Sequence, residues 1–267
     1  MKHRVSIRDI QYAIRHQTGN EPIMLLHGFT GTHATWNVIW DYLAHYAIVA
    51  PDLVGHGETE APSNPQRYAI DQAAEDLIAI LDHFGYKQAH LLGYSMGGRL
   101  ALYTAIHYPH RIKTLTLESA SAGLAQKSER RIRAAQDNQL AEDIEQKGIQ
   151  WFTGYWEALP LWESQKQLSF TVTTQLRQER LNQRPKGLAN SLRGMGTGVQ
   201  PALWDQLPTF RIPTHLIVGE LDHKFVQLNQ KMLELLPNAH LTIIKNAGHC
   251  IHLEQPKAFI RAFIAHL

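Results

Sequence analysis

Cysteine is nearly absent: Cys250 stands alone in 267 residues. A single thiol excludes an intramolecular disulfide and any cysteine-based metal cluster. A charge imbalance is missing too, with 26 lysines and arginines against 24 aspartates and glutamates, for a formal net charge of +2. So small a net charge argues against a general nucleic-acid binder, although arginines can still gather locally. There is no membrane-spanning run either. Pro22 to Trp40 carries no formal charge, but its middle, Gly28-Phe29-Thr30-Gly31-Thr32-His33, is too polar and turn-rich to cross a bilayer. Met1-Lys2-His3-Arg4 leads into an alternating, charged segment instead of the apolar stretch of an export signal. These absences predict a soluble cytoplasmic protein with neither membrane nor nucleic acid as partner.

What is present suits an enzyme-sized globular chain. Hydrophobic residues make up 44% and charged ones 19%, enough to bury a core. The length fits one core with an inserted subdomain. Val5, Ile7, Ile10, Tyr12 and Ile14 alternate as in a hairpin. Ile23 to Leu26 and Ala47 to Ala50 are short and wholly apolar, the pattern of strands covered on both faces. Thr35 to Tyr46 has helical spacing, and residues 70–84 form an amphipathic helix closed by Gly85. Further strands are expected at Ala89 to Leu92, Ile112 to Leu117, Thr214 to Gly219 and His240 to Ile244, with helices over 227–236 and from Pro256. Strand alternating with helix predicts a mostly parallel, doubly wound α/β sheet.

From Glu118 to about Asp205 the alternation stops. Arginine- and tryptophan-rich helical stretches replace it, including Trp151 to Trp162 and Thr174 to Arg184. The expected organisation is a core of residues 1–118 and 206–267 with a helical cap inserted at 119–205.

The chemistry centres on Gly93-Tyr94-Ser95-Met96-Gly97. An apolar strand precedes it and helical spacing follows, which is the strand–turn–helix context of a nucleophile elbow. Two later loops offer partners, Asp222 in Gly219-Glu220-Leu221-Asp222 and His249 in Asn246-Ala247-Gly248-His249. The order Ser…Asp…His is that of the α/β-hydrolase fold. A serine hydroxyl is nearly inert at neutral pH, so it needs His249 to take its proton and Asp222 to orient the imidazole. The backbone N–H groups of Phe29 and Met96 would supply an oxyanion site. Glu220 and His252 are the rivals for acid and base, and His56 reads as a loop-packing histidine. His33, His45, His83 and His107 share no ligand spacing, and no metal site is expected.

Arg99 lies one helical turn after Ser95, on the same side. It reads either as half of a surface ion pair or as a clamp for a carboxylate, which a guanidinium grips bidentately. Arg130, Arg131, Arg133, Arg177, Arg180, Arg184 and Arg193 in the cap favour a polyanionic small-molecule ligand.

Five segments carry a resemblance: Leu26 to Gly31, Gly93 to Arg99 (GYSMGGR), Leu117 to Leu124, Glu129 to Arg133, and Gly187 to Trp204 (GLANSLRGMGTGVQPALW). Through them the whole chain resembles the α/β-hydrolase-fold synthase family of menaquinone biosynthesis. That family makes 2-succinyl-6-hydroxy-2,4-cyclohexadiene-1-carboxylate by eliminating pyruvate from an enolpyruvyl precursor. The resemblance implies a lyase without cofactor, with Ser95, Asp222 and His249 as its triad. It implies substrate contacts from Tyr94, Arg99, Arg133, Trp156 and Arg177, with Arg130 and Arg180 as alternatives in the cap.

Overall fold

In the computed structural model, which describes residues 1–267, the strands join one eight-stranded sheet. β1 (Lys2–Ile7) and β2 (Ile10–Gln17) form the N-terminal hairpin. β3 (Pro22–Leu26), β4 (Ala47–Pro51), β5 (Ala89–Tyr94), β6 (Ile112–Glu118), β7 (Thr214–Gly219) and β8 (Ala239–Ile244) follow. The order across the sheet is β1-β2-β4-β3-β5-β6-β7-β8. Only β1–β2 and β2–β4 pair antiparallel. The sheet is therefore the mostly parallel, doubly wound one read from the alternation. Strand order reverses between β3 and β5, and the crevice at their carboxyl ends is where open α/β sheets bind ligands.

The helices are α1 (Asn37–Trp40), α2 (Ile70–His83), α3 (Met96–His107), α4 (Lys127–Glu157), α5 (Phe170–Leu181), α6 (Pro185–Met195), α7 (His223–Leu235), α8 (Ile251–Glu254) and α9 (Pro256–Ile264). Successive residues of β3 serve opposite faces of the sheet. Met24 and Leu26 join the core under α2, α3 and α7, while Ile23 and Leu25 join the one under α1 and α9. Both faces are covered, so the run must be apolar throughout; each buried Leu or Ile contributes about 1.5–3 kcal/mol.

Between β6 and β7 there is no strand. α4 packs on α6 through Ala141, Ile144 and Phe152 against Leu188, Ala189 and Leu192. Contacts back to the sheet anchor this layer. Gln183 donates to Thr30 O at 3.0 Å and accepts from Gly57 N at 3.0 Å. Gly187 sits so close to Gly55 that a Cβ there would lie 2.0 Å from its carbonyl oxygen.

Several helix readings need correction. Thr35 to Tyr46 is not one helix: it is a chain of short turns, His33–Trp36, Asn37–Trp40 and Asp41–Leu43. Trp151 to Trp162 is interrupted, because α4 ends at Glu157 and Pro160, lacking an N–H, opens a separate 3₁₀ segment. Thr174 to Arg184 spans the end of α5 and the linker to α6. α7 begins four residues earlier than its apolar spacing suggested, at His223, because the Asp222 side chain caps it.

Buried histidines predict acid sensitivity. Burial pushes the pKa of His27 down to about 4 and those of His56 and His215 to about 3. Unfolding would restore ordinary values near 6.5, so the unfolded chain binds more protons as pH falls below that point. Each ring should cost about 1 kcal/mol of stability per pH unit below roughly 6.5. His252 does not offset this loss. Burial opposes its charge, but Cys250 and Glu118 raise its pKa well above normal, so its stabilisation is complete below about 6.5 and fades only at higher pH. Urea midpoints at pH 7 and pH 5 check the prediction; equal midpoints would refute it.

Candidate active site

Ser95 sits between β5 and α3 with φ 50° and ψ −107°, a left-handed conformation that a side-chain-bearing residue adopts only at a cost. Its surroundings hold it there. The Ser95 N–H donates to Glu118 O at 2.8 Å, tying the turn to β6. A Cβ at Gly97 would lie 2.3 Å from Leu26 O, and one at Gly93 would lie 2.4 Å from Gly97 O, so glycine is required at both. The turn lifts the serine Oγ above the carboxyl edge of the sheet.

His249 Nε2 lies 3.0 Å from Ser95 Oγ, and His249 Nδ1 lies 2.6 Å from Asp222 Oδ2. The second contact assigns the proton: Nδ1–H donates to the carboxylate, leaving the Nε2 lone pair to accept from the serine. Asp222 is fixed by its other oxygen, which accepts from Phe225 N at 3.4 Å. The rings of Tyr94, Trp162 and Phe225 surround His249, with centroids 5.6, 5.7 and 4.7 Å away. They limit the water that can reach it.

The competing residues are engaged elsewhere. Glu220 accepts from Asn246 N at 3.1 Å. His252 is buried with Glu118, Nδ1 to Oε2 at 2.7 Å, behind the ring of Tyr94. His56 is packed against His27 and Phe29, with Nδ1 3.1 Å from Val54 O.

Above Ser95 opens a cavity of about 940 Å³. Phe29 and Met96 line it, and Met96 opens α3, where the first N–H groups of a helix have no intrahelical partner. Tyr94, Arg99, Arg133 and Trp156 also reach the cavity. Arg99 is half-buried. Its two contacts, to Met195 O at 3.0 Å and to Gln200 Oε1, both use Nη1, which leaves Nε and Nη2 as donors for a ligand. Burial, with Arg133 nearby, lowers its pKa to about 10, still charged at neutral pH. Arg133 gives only Nε to Asp137, at 2.8 Å.

Arg177 is the exception among the expected contacts. It is half-exposed on α5, paired with Glu157, and does not line this cavity. Glu157 at the end of α4 also takes Arg180 at 3.1 Å, so one carboxylate holds both guanidiniums away from Ser95. Arg130 donates to Leu124 O at 2.7 Å and Ala125 O at 2.8 Å, capping its own segment.

Reading the sequence missed Lys224 and Lys231, which line the cavity together with Leu228. Their i, i+4, i+7 spacing marks a single helix face and was the available signal. It was lost because α7 was started four residues too late. Trp162 was also missed. The indole N–H groups of Trp156 and Trp162 are buried with no partner beside the cavity, two donors available to a polar ligand.

The family model of the alpha/beta hydrolase fold matches residues 21–256. A Bacillus subtilis protein provisionally named a 2-succinyl-6-hydroxy-2,4-cyclohexadiene-1-carboxylate synthase is 41% identical over 94% of this chain and 92% of its own. The Serratia proteamaculans synthase of that name is 30% identical, covering 89% of each chain. The solved structure of MenH from S. aureus superimposes with a TM-score of 0.90 at 37% identity, over 96% of this chain and 97% of that one. With matches of this extent in sequence and in structure, the chain belongs to the α/β-hydrolase fold family and, within it, to the 2-succinyl-6-hydroxy-2,4-cyclohexadiene-1-carboxylate synthases.

Proposed function

We propose that this enzyme eliminates pyruvate from 2-succinyl-5-enolpyruvyl-6-hydroxy-3-cyclohexene-1-carboxylate, with Ser95, His249 and Asp222 acting as a proton-transfer chain. One observation carries the reading. A hydrogen-bonded serine–histidine–aspartate chain opens into a cavity lined by more cations than acids, with the half-buried Arg99 one helical turn from Ser95. Four cations line that cavity, Arg99, Arg133, Lys224 and Lys231, against the acids Glu129 and Asp137, of which Asp137 is paired with Arg133. Such a surplus suits a substrate bearing three carboxylates and has no use on a neutral ester.

The reacting C–H lies alpha to the succinyl ketone. Ser95 Oγ takes that proton while passing its own to His249 Nε2, and the electron pair moves onto the ketone oxygen as an enolate. The N–H groups of Phe29 and Met96 stabilise this charge. Collapse of the enolate through the ring double bond breaks the C–O bond, and the departing enolpyruvate takes the proton from His249 and ketonises to pyruvate. Asp222 stabilises the imidazolium meanwhile. Residues 119–205 act as the cap that carries Arg133 and Trp156. No helix is long and apolar enough to cross a membrane.

The test is pyruvate release from freshly prepared substrate, coupled to lactate dehydrogenase, with a neutral nitrophenyl ester as comparison. Release far above the spontaneous rate, with slow ester cleavage, is expected. Background-level release with brisk ester cleavage would make the enzyme a hydrolase instead.

A further inference from the structure

Three histidines meet at the end of the sheet opposite to Ser95. His215 is the second residue of β7 and His240 the second of β8, and the parallel register sets them side by side. His266, just past α9, folds against both. The His215 and His240 rings stack with centroids 3.9 Å apart, and the His266 ring lies 5.3 and 4.9 Å from them. One ligand nitrogen from each residue lies within 4.8 Å of the other two.

His215 supplies the decisive detail. It is 1% exposed, and its Nε2 lies 2.8 Å from Thr242 Oγ1. Its Nδ1 is buried with no hydrogen-bond partner. With Nε2–H donating to the threonine, Nδ1 carries a bare lone pair inside the protein. A buried polar atom left unsatisfied is costly and calls for an explanation.

We propose that His215, His240 and His266 form a binding site for a divalent transition-metal ion, zinc foremost, with His215 bound through Nδ1. Imidazole ligands suit zinc, copper and nickel, and three of them leave a fourth position for water. Zinc–nitrogen bonds of about 2.0–2.1 Å place tetrahedral ligand atoms roughly 3.4 Å apart, so nitrogens as much as 4.8 Å apart must close by up to about 1.4 Å. His240 is exposed and His266 half-buried, so both rings can turn. His215 stays in place, oriented by Thr242 as ligating imidazoles are by a partner on the other nitrogen. Burial, with His240 and His266 alongside, lowers the His215 pKa to about 3, which keeps its lone pair free of a competing proton. His90 stands apart from the set, since Thr114 and Glu21 hold its two nitrogens at 2.9 and 3.0 Å.

The ion would tie β7, β8 and the segment after α9 together at the amino ends of the strands. Ser95 lies at the carboxyl ends, so the metal stabilises the fold and takes no part in the reaction.

The test is a Zn²⁺ titration of metal-free full-length protein against a chromophoric chelator, with thermal unfolding followed in parallel. His240→Ala is the main variant, and His83→Ala, on the exposed side of α2, is the control. Wild type and control should each bind one tight equivalent that raises the unfolding midpoint. Loss of a ligand should weaken binding by at least about 100-fold, the upper end of what an orienting partner alone is worth. The midpoint of His240→Ala should then no longer respond to zinc. If that variant does not fold, His266→Ala serves in the same comparison. Zinc binding that is equally tight in wild type and variant, or no tight equivalent in wild type, would overturn the proposal.

Discussion

Replacing Ser95 by alanine should lower kcat/KM for pyruvate release about 10²–10⁴-fold, the usual worth of a positioned general base. The loss should fall on kcat with KM little changed, because the hydroxyl acts in the transition state and not in holding the substrate. The fold should survive. The turn is held by Ser95 N–H to Glu118 O and by the close packing at Gly93 and Gly97, none of which uses the side chain. Stopped-flow traces distinguish a base from a covalent nucleophile. A base gives no burst and no trapped intermediate, whereas a nucleophile would leave a covalent adduct on the serine. Near-wild-type release by Ser95→Ala would remove the proton-transfer chain from the mechanism. The His249 and Asp222 contacts, at 3.0 and 2.6 Å from their partners, would then need another explanation.

Replacing Arg99 by alanine should have the second-largest effect, a fall in kcat/KM of about 10²–10³-fold, or roughly 3–4 kcal/mol. Its free Nε and Nη2 donors match the two oxygens of a carboxylate, and its partial burial strengthens that match. Without it, a substrate carboxylate would lose the cation nearest the helix turn that carries Ser95. Arg99→Lys should recover part of the loss, since it restores the charge but not the fork. A structural cost comes with the alanine variant. Met195 O and Gln200 Oε1 lose their donor, at about 1–3 kcal/mol for each group left unsatisfied. Unfolding midpoints measure that cost independently. Turnover of a neutral ester should be spared in both variants. An Arg99→Ala enzyme that keeps wild-type kcat/KM would show that Arg99 serves only the packing of α6 and the Gln200 loop.

Arg177→Ala makes a useful contrast. It lies outside the cavity and shares Glu157 with Arg180. Its removal should change kcat/KM by less than the loss of either Arg99 or Arg133.

The fold class was legible in the chain because two-faced burial forces unmistakable runs. β3 and β4 must be apolar at every position, and the break between β6 and β7 shows as a loss of that rhythm. The elbow was legible for a similar reason, since steric exclusion at Gly93 and Gly97 leaves glycine no substitute. Chain order then pointed to Asp222 and His249 from loops that lie more than a hundred residues downstream of Ser95. Tertiary structure alone decided the rest. Seven arginines in the cap look alike in sequence, and only packing singles out Arg133, which lines the cavity, from Arg177 and Arg180 on Glu157, Arg130 on the Leu124 and Ala125 carbonyls, Arg193 on Glu145 and Arg184 on Thr59 O. The register of β7 on β8 likewise brings together His215, His240 and His266, whose spacing along the chain carries no motif. Local pattern records what each residue must be buried against, but which charge meets which partner depends on distances set only when distant segments pack.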